Sequence, residues 1–346
     1  ESEAFQLPIP VRTGYIFLGW TGEGITEPQK TIEIPQGSTG DRTYTANWQV
    51  IEYTIITLLE GGNAGSSQVY FYTVEQTVTL PTPTRTGYTF LGWTGEGITT
   101  PQPNVTIPKG STGDKTYIEN WELTEYNITM DLNGGSGETT LLYTVIDDEF
   151  ALPTPTRHGY EFVGWTGEAI TTPQTSVKIP KGSTGNKAYT ANWKVIRYTI
   201  TLVTNGGAVI ASIRYTVEDS VTLPIPPDRP GYEFSGWVLD GSGQFPSTPM
   251  IIPAGSTGDR IYKAEWRVAT YTITYVSHGK AYNWVQYTIN NQVYFGTPEE
   301  DPSYYLPGYT FVGWKIDGVE GTPRSYMLPK GSYGNRTATM LWEAIP

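Results

Sequence analysis

The heptapeptide Gly87-Tyr-Thr-Phe-Leu-Gly-Trp93 decides the fold, because its pattern Gly-Tyr-x-Phe-x-Gly-Trp recurs five times in the 346 residues. The other copies lie at residues 14–20, 159–165, 231–237 and 308–314, with successive offsets of 73, 72, 72 and 77 residues. A second tryptophan follows each copy after 28 or 29 residues, at Trp48, Trp121, Trp193, Trp266 and Trp342. A fixed period of this length predicts a tandem array of small domains.

The residues around the heptapeptide predict a unit that is mostly β, or α+β at most. Residues 53–59 are rich in β-branched and aromatic side chains, and a glycine-rich break separates them from a hairpin partner at residues 68–74. Two prolines then stop a short extended segment, and residues 115–121 form a closing strand. Because no window of ten residues keeps a helical apolar period, we expect about five short strands and at most one helical turn after the Gly-Trp strand.

Alternation within the heptapeptide predicts which side chains face the core. The position between its Tyr and Phe holds Ile, Thr or Glu in different copies, so this position should meet water while Tyr88 and Phe90 point inward. Gly92 would share the inward face, which indicates a bulge or a close backbone approach that turns Trp93 into the core. Since the chain has no cysteine, this aromatic core must stabilise each small unit without disulfides.

The period divides the chain into five repeats, which we expect at residues 1–48, 53–121, 126–193, 198–266 and 271–342. The first lacks the opening hairpin, and the fifth departs from the others in its turn and spacing. A phase that begins at the opening Tyr is favoured, although a phase that begins at the Leu-Pro segment also fits. The four-residue connectors contain no glycine or proline, so the array is expected to be elongated.

Five elements recur in a fixed order in these repeats: a Y-T-I-T strand, an N-G-G turn (residues 133–135 and 205–207), a Leu-Pro-x-Pro segment, the heptapeptide and a closing Y-x-x-x-W strand. This combination, over essentially the whole chain, resembles the Listeria-Bacteroides repeat, the family of the internalin B-repeat. The resemblance implies tandem β-grasp-like, ubiquitin-related modules. It also implies a non-enzymatic stalk or spacer that supports adhesion at a bacterial cell surface, either attached to the cell wall or secreted, beside neighbouring domains of a longer protein.

No constellation of side chains in the sequence predicts catalysis, a cofactor or a metal site. The pair Glu96 and Asp114 recurs in the first repeat, but the third repeat has Asn186 at the second position, so an acid-base pair would be lost there. His158 and His278 fall in different repeats and cannot form a metal site by themselves. The Gly-Ser-Thr-Gly turn precedes a strand rather than a helix, which argues against a phosphate loop. We therefore expect no enzyme.

Charge and hydropathy restrict the partners. The formal net charge of −12 argues against binding nucleic acid or anionic lipid through a basic surface. No apolar run reaches the length of a membrane span, and residues 1–4 lack the features of a signal peptide. The expected partners are host or surface proteins or glycans.

Extra aromatic residues single out the fifth repeat as a candidate contact surface. Ten of the eleven tryptophans occupy the two motif positions, where core packing is expected, and Trp284 is the exception. Tyr282, Tyr287, Tyr304 and Tyr305 accompany it. These residues support an alternative function, an adhesion module that binds glycan or protein through the fifth repeat. A capping role for a terminal repeat would explain the same divergence.

Overall fold

A computed structural model describes residues 3–59, 67–298 and 306–346, and no α-helix lies among them. The chain forms two compact units, residues 1–155 with 164–192 and residues 156–163 with 193–346, and the third repeat contributes to both. The prediction of a mostly β fold is confirmed.

Short strands follow one another through the described part of the chain. The first repeat contains β1 (Phe5–Gln6), β2 (Tyr15–Gly22), β3 (Ile25–Gln29), β4 (Glu33–Ile34) and β5 (Thr45–Val50). The second contains β6 (Tyr53–Leu58), β7 (Ser67–Tyr72), β8 (Val78–Thr79), β9 (Tyr88–Gly95), β10 (Ile98–Gln102), β11 (Thr106–Ile107) and β12 (Lys115–Leu123). The third contains β13 (Tyr126–Asp131), β14 (Thr140–Tyr143), β15 (Phe150–Ala151), β16 (Tyr160–Gly167), β17 (Ile170–Gln174), β18 (Lys178–Ile179) and β19 (Lys187–Val195).

The fourth and fifth repeats follow the same order with fewer strands. The fourth contains β20 (Tyr198–Val203), β21 (Ile213–Tyr215), β22 (Val221–Thr222), β23 (Tyr232–Leu239), β24 (Ile251–Ile252) and β25 (Arg260–Val268). The fifth contains β26 (Tyr271–Ser277), β27 (Lys280–Tyr287), β28 (Val293–Phe295), β29 (Tyr309–Ile316), β30 (Tyr326–Leu328) and β31 (Arg336–Ala344).

One sheet and one two-stranded ribbon make up each repeat, and the sheets of the second to fifth repeats are mixed. In the second repeat the sheet order is β10-β9-β12-β6-β7, and β8 pairs with β11 in the ribbon. The opening strand β6 and the closing strand β12 pair in parallel at the centre, whereas the other pairs are antiparallel. β10 forms where the sequence allowed a helical turn. The first repeat has only β3-β2-β5 and the ribbon of β1 and β4, because it lacks the opening hairpin.

The heptapeptide strand packs on the core as its alternation predicts. Trp93 is 1% exposed, and Phe90 lies between Trp93 and Trp121 with ring centroids 5.5 and 5.2 Å away. The pairing of β9 with β12 shifts register beside Gly92, so the predicted bulge is present. A β-carbon on Gly92 would also collide with the backbone of Gln102, which accounts for glycine at this position.

The heptapeptide tyrosine is the exception to the predicted core. Tyr88 and Phe90 are both half-buried, but of the two only Phe90 packs against the core cluster, and the guanidinium carbon of Arg85 lies 3.6 Å from the ring centroid of Tyr88. The first, third and fourth repeats have the same cation-π pair, at 3.7 to 3.8 Å. The tyrosine therefore covers the end of the sheet, where the next repeat begins, instead of filling the core.

In the first four repeats, that end of the sheet contacts the turn that follows the hairpin of the next repeat. Gly87 lies against the side chain of Val145, and a β-carbon on Gly87 would overlap it. Gly14 with Val74, Gly159 with Val217 and Gly231 with Ile289 are placed in the same way, whereas Gly308 has open space at that position. The first residue of the heptapeptide is thus a junction residue between repeats.

Candidate functional site

The aromatic residues predicted in the fifth repeat lie on the hairpin of β26 and β27. A two-residue turn joins the strands, because Ser277 pairs directly with Lys280 and His278 adopts a positive φ of 54°. β27 therefore pairs along the whole of β26 and forms one edge of the sheet. A register shift leaves Tyr282 as an extra residue on β27, and such a bulge re-aims the side chain that it contains.

Beside this bulge lies a cavity of about 410 Å³. Its lining includes Tyr275, Tyr282, Trp284, Tyr294, Trp314 and Met340. Trp284 and Tyr294 are 64% and 52% exposed, whereas Trp314 is buried beneath them. Among the described residues no charged side chain lines the cavity. A surface of this composition suits a neutral ligand that stacks on aromatic rings, such as a sugar ring or an apolar peptide side chain.

The predicted site residues do not all reach this surface. Trp284 and Tyr282 line the cavity, but Tyr287 is 2% exposed and its hydroxyl donates to the carbonyl oxygen of Gly334 at 2.6 Å. Tyr287 occupies a core position that Tyr72, Tyr143 and Tyr215 hold in the other hairpins, so it is a structural residue. Tyr304 and Tyr305 lie outside the described residues.

The paired acidic residues cap backbone groups. Asp114 accepts a hydrogen bond from the backbone N–H of Thr54 at 2.8 Å, and this bond lowers the pKa of Asp114. Asn186 accepts the equivalent bond from Asn127 at 2.9 Å, which explains why Asp and Asn are interchangeable at this position. Glu96, in a turn with a positive φ of 48°, accepts from the backbone N–H of Thr116. Each carboxylate thus accepts a hydrogen bond from a backbone N–H group near the start of a strand.

Two further features were not predicted from the sequence. One is the Thr-Val or Thr-Ile turn after each hairpin, whose apolar residue contacts the glycine of the preceding heptapeptide. The other is Glu119, which is 4% exposed in the second repeat although the other repeats have Ala or Met at its position. An alignment of the five repeats could have identified both, because the apolar residue recurs and the glutamate does not.

Comparison with known families tests the resemblance. The model of the Listeria-Bacteroides repeat domain matches residues 53–117, 126–192, 198–257 and 271–330. The chain belongs to this family. The four matches fall on the repeats that have an opening hairpin. Repeats of this family are typical of surface proteins.

Two relatives of this Listeria-Bacteroides repeat protein come from Evansella cellulosilytica. One, named "Putative Gly-rich membrane protein", is 28% identical over 88% of this chain and 36% of its own length. The other, named "Putative membrane protein", is 26% identical over 58% of this chain and 29% of its own length. The chain therefore spans about a third of the length of the curated relatives that it matches. Within the described residues, no helix is long and apolar enough to cross a membrane.

Proposed function

We propose that this chain is a non-catalytic extracellular spacer of a bacterial surface protein, either attached to the cell wall or secreted, which supports an adhesive part of a longer protein. The observation that carries the proposal is the repeated junction, in which the heptapeptide glycine contacts the apolar residue of the next repeat. A contact that recurs with the same residue types restricts how far adjacent repeats can bend. The acidic residues offer no competing chemistry, because those of the turns accept backbone hydrogen bonds.

Small-angle X-ray scattering of the intact chain tests the spacer. We expect a maximum dimension several times that of one repeat, and a compact particle would contradict the proposal. A variant that loosens one junction, Val145→Ala, should broaden the distribution of distances within the chain. Val209→Ala is the matched control, because Val209 is 94% exposed and its loss should leave the scattering unchanged.

A second candidate function is binding of glycan or protein by the fifth repeat. It is favoured by the cavity beside Tyr282 and by the exposure of Trp284, which has no counterpart at the motif positions. A glycan array probed with the intact chain and with Trp284→Ala tests it, since the variant should lose any signal that depends on this surface. Phe245→Ala removes a 92% exposed aromatic ring from the fourth repeat and is the control. If the intact chain gives no signal on the array, glycan binding by the fifth repeat is excluded.

A further inference from the structure

The second repeat contains a buried carboxylate that neither the spacer nor the fifth-repeat cavity uses. Glu119 is 4% exposed on the central strand β12. The corresponding residues of the other repeats, two positions before the second tryptophan, are Ala46, Ala191, Ala264 and Met340. Burying a carboxylate costs free energy unless its oxygens are hydrogen-bonded, and the fold does not need one at this position.

Only one of the two carboxylate oxygens of Glu119 has a hydrogen-bond donor among the described residues. The indole N–H of Trp121 donates to Oε2 of Glu119 at 3.1 Å, whereas Oε1 has no hydrogen-bond partner among the residues that the structure describes. In the fourth repeat the equivalent tryptophan, Trp266, donates instead to the carbonyl oxygen of Thr204. The indole N–H of Trp121 thus bonds to Glu119 instead of a backbone carbonyl oxygen, and the other carboxylate oxygen is buried without a hydrogen-bond partner among the described residues.

An unpaired hydrogen-bond donor in the described part of the chain, the indole N–H of Trp93, belongs to the residue directly opposite Glu119 on the neighbouring strand. Trp93 is 1% exposed, and its indole N–H has no acceptor within residues 3–59, 67–298 and 306–346. The other four heptapeptide tryptophans donate to backbone carbonyl oxygens, those of Pro8, Pro153, Pro224 and Gly296, at 2.8 to 3.3 Å. In the second repeat, Oε1 of Glu119 and the indole N–H of Trp93 are therefore a buried acceptor and a buried donor without partners in the part of the chain that the structure describes, at positions that are apolar or satisfied in the other repeats.

Both side chains line one cavity of about 520 Å³, within the range of about 300–1,000 Å³ that is usual for small-molecule sites. Tyr70 and Trp121 contribute aromatic rings to its wall, and Arg85 contributes a positive charge close to Glu119. A second cavity of about 280 Å³ shares Arg85, Glu119 and Trp121 with it.

The charges and hydrogen-bonding groups restrict the ligand. An anion would be repelled by Glu119, and a cation would be opposed by Arg85 and would leave the Trp93 N–H unpaired. A hydroxyl group both donates and accepts, so neighbouring hydroxyls can satisfy Glu119 and Trp93 together. The apolar face of a sugar ring also suits an aromatic wall. We propose that Glu119, Trp93 and Trp121 of the second repeat form a binding site for a neutral saccharide unit.

Calorimetric titration and NMR of the intact chain test this site with a panel of methyl glycosides of glucose, galactose, mannose and N-acetylglucosamine. At least one sugar should bind saturably below tens of millimolar and should shift the indole N–H resonance of Trp93. In Glu119→Ala the binding should weaken about tenfold or more, because a hydrogen bond to a charged acceptor is lost. The variant should fold, since alanine occupies this position in three other repeats.

Two controls separate this site from the rest of the chain. Glu122→Ala removes the same charge from an exposed position three residues further on and should leave the affinity unchanged. Trp284→Ala removes the fifth-repeat surface and should also have no effect here. If sugar binding is unchanged in Glu119→Ala, or if no sugar in the panel binds, the proposed saccharide site is wrong. Either result would leave the proposal of a spacer unaffected.

Discussion

Gly87 of the second repeat lies so close to Val145 of the third that no β-carbon fits between them. Gly87→Ala should therefore destabilise the junction by overpacking, which typically costs about 1–3 kcal/mol, in addition to the strain of alanine at a φ of 78°. Hydrogen exchange of the backbone amides in β9 and β12 measures the effect on the local free energy of opening.

Gly308→Ala is the control for that experiment, because Gly308 has nearly the same φ of 82° but open space where the β-carbon would lie. It should show the backbone strain alone. Equal destabilisation by the two substitutions would mean that the contact between repeats contributes nothing.

The contrast between Gly87 and Gly92 shows how far the sequence predicts this fold. Alternation within the heptapeptide predicted the buried Trp93 and the bulge at Gly92 correctly, because both depend on side chains within one strand. The same alternation assigned Tyr88 to the core, where it is only half-buried, and it said nothing about why Gly87 recurs. That reason lies in Val145, which belongs to the next repeat and is distant in sequence.

The candidate sites were predictable to different extents. Trp284 stood out because it falls outside the periodic positions, and the structure places it on the surface. Tyr287 was grouped with it by proximity in the sequence, although it alternates inward and is buried. Glu119 was not recognised, since a single glutamate in a strand looks like a solvated side chain unless the repeats are aligned, which places it at a position that is Ala or Met elsewhere. The burial of such residues depends on their neighbours across the sheet, which are distant in sequence.

The difference between Trp284 and Tyr287 predicts opposite effects on stability. Trp284→Ala should change the free energy of unfolding by less than about 0.5 kcal/mol, because the ring is 64% exposed. Tyr287→Phe removes the hydroxyl that donates to Gly334 and accepts from Nε of Arg336, so it should cost about 1–2 kcal/mol. Hydrogen exchange of the amides in β26 and β31 measures both. Equal effects would show that the fifth-repeat hairpin is not packed as described.

The hydroxyl of Tyr160 donates a hydrogen bond to Glu218 across the junction between the third and fourth repeats. This bond and the charge of Glu218 raise the pKa of Tyr160, while Arg157, which lies over the ring, lowers it. Because the folded pKa is raised, the contribution of the bond is fully present below the unfolded pKa of about 10 and is lost as the pH rises through the folded value. We expect the junction to loosen at strongly alkaline pH.

An NMR titration of the Tyr160 ring checks that expectation. In Glu218→Gln the pKa of Tyr160 should fall towards its ordinary value, because the carboxylate charge is removed. Glu161→Gln changes the exposed neighbouring carboxylate and should produce a much smaller shift. A pKa that does not respond to Glu218→Gln would exclude the hydrogen bond between the repeats in solution.

The buried carboxylate of Glu119 predicts a stability that depends on pH. Burial raises the pKa of Glu119, and the hydrogen bond from Trp121 and the charge of Arg85 only oppose that shift. A raised folded pKa means that the native state binds the proton more tightly than the unfolded chain does. The stability from this group is therefore present below the ordinary carboxyl pKa of about 4.3 and is lost as the pH rises through the folded value.

Glu119→Ala should accordingly stabilise the second repeat by about 1 kcal/mol at pH 7, because it removes a half-satisfied buried charge. The gain should shrink as the pH falls through the carboxyl range, where the wild-type side chain becomes neutral. Hydrogen exchange of the β12 amides at several pH values measures it, and Glu122→Ala should show no such dependence. A gain that is constant with pH would mean that the pKa of Glu119 is the same in the folded and unfolded chain, so that its carboxylate is not desolvated by burial as described.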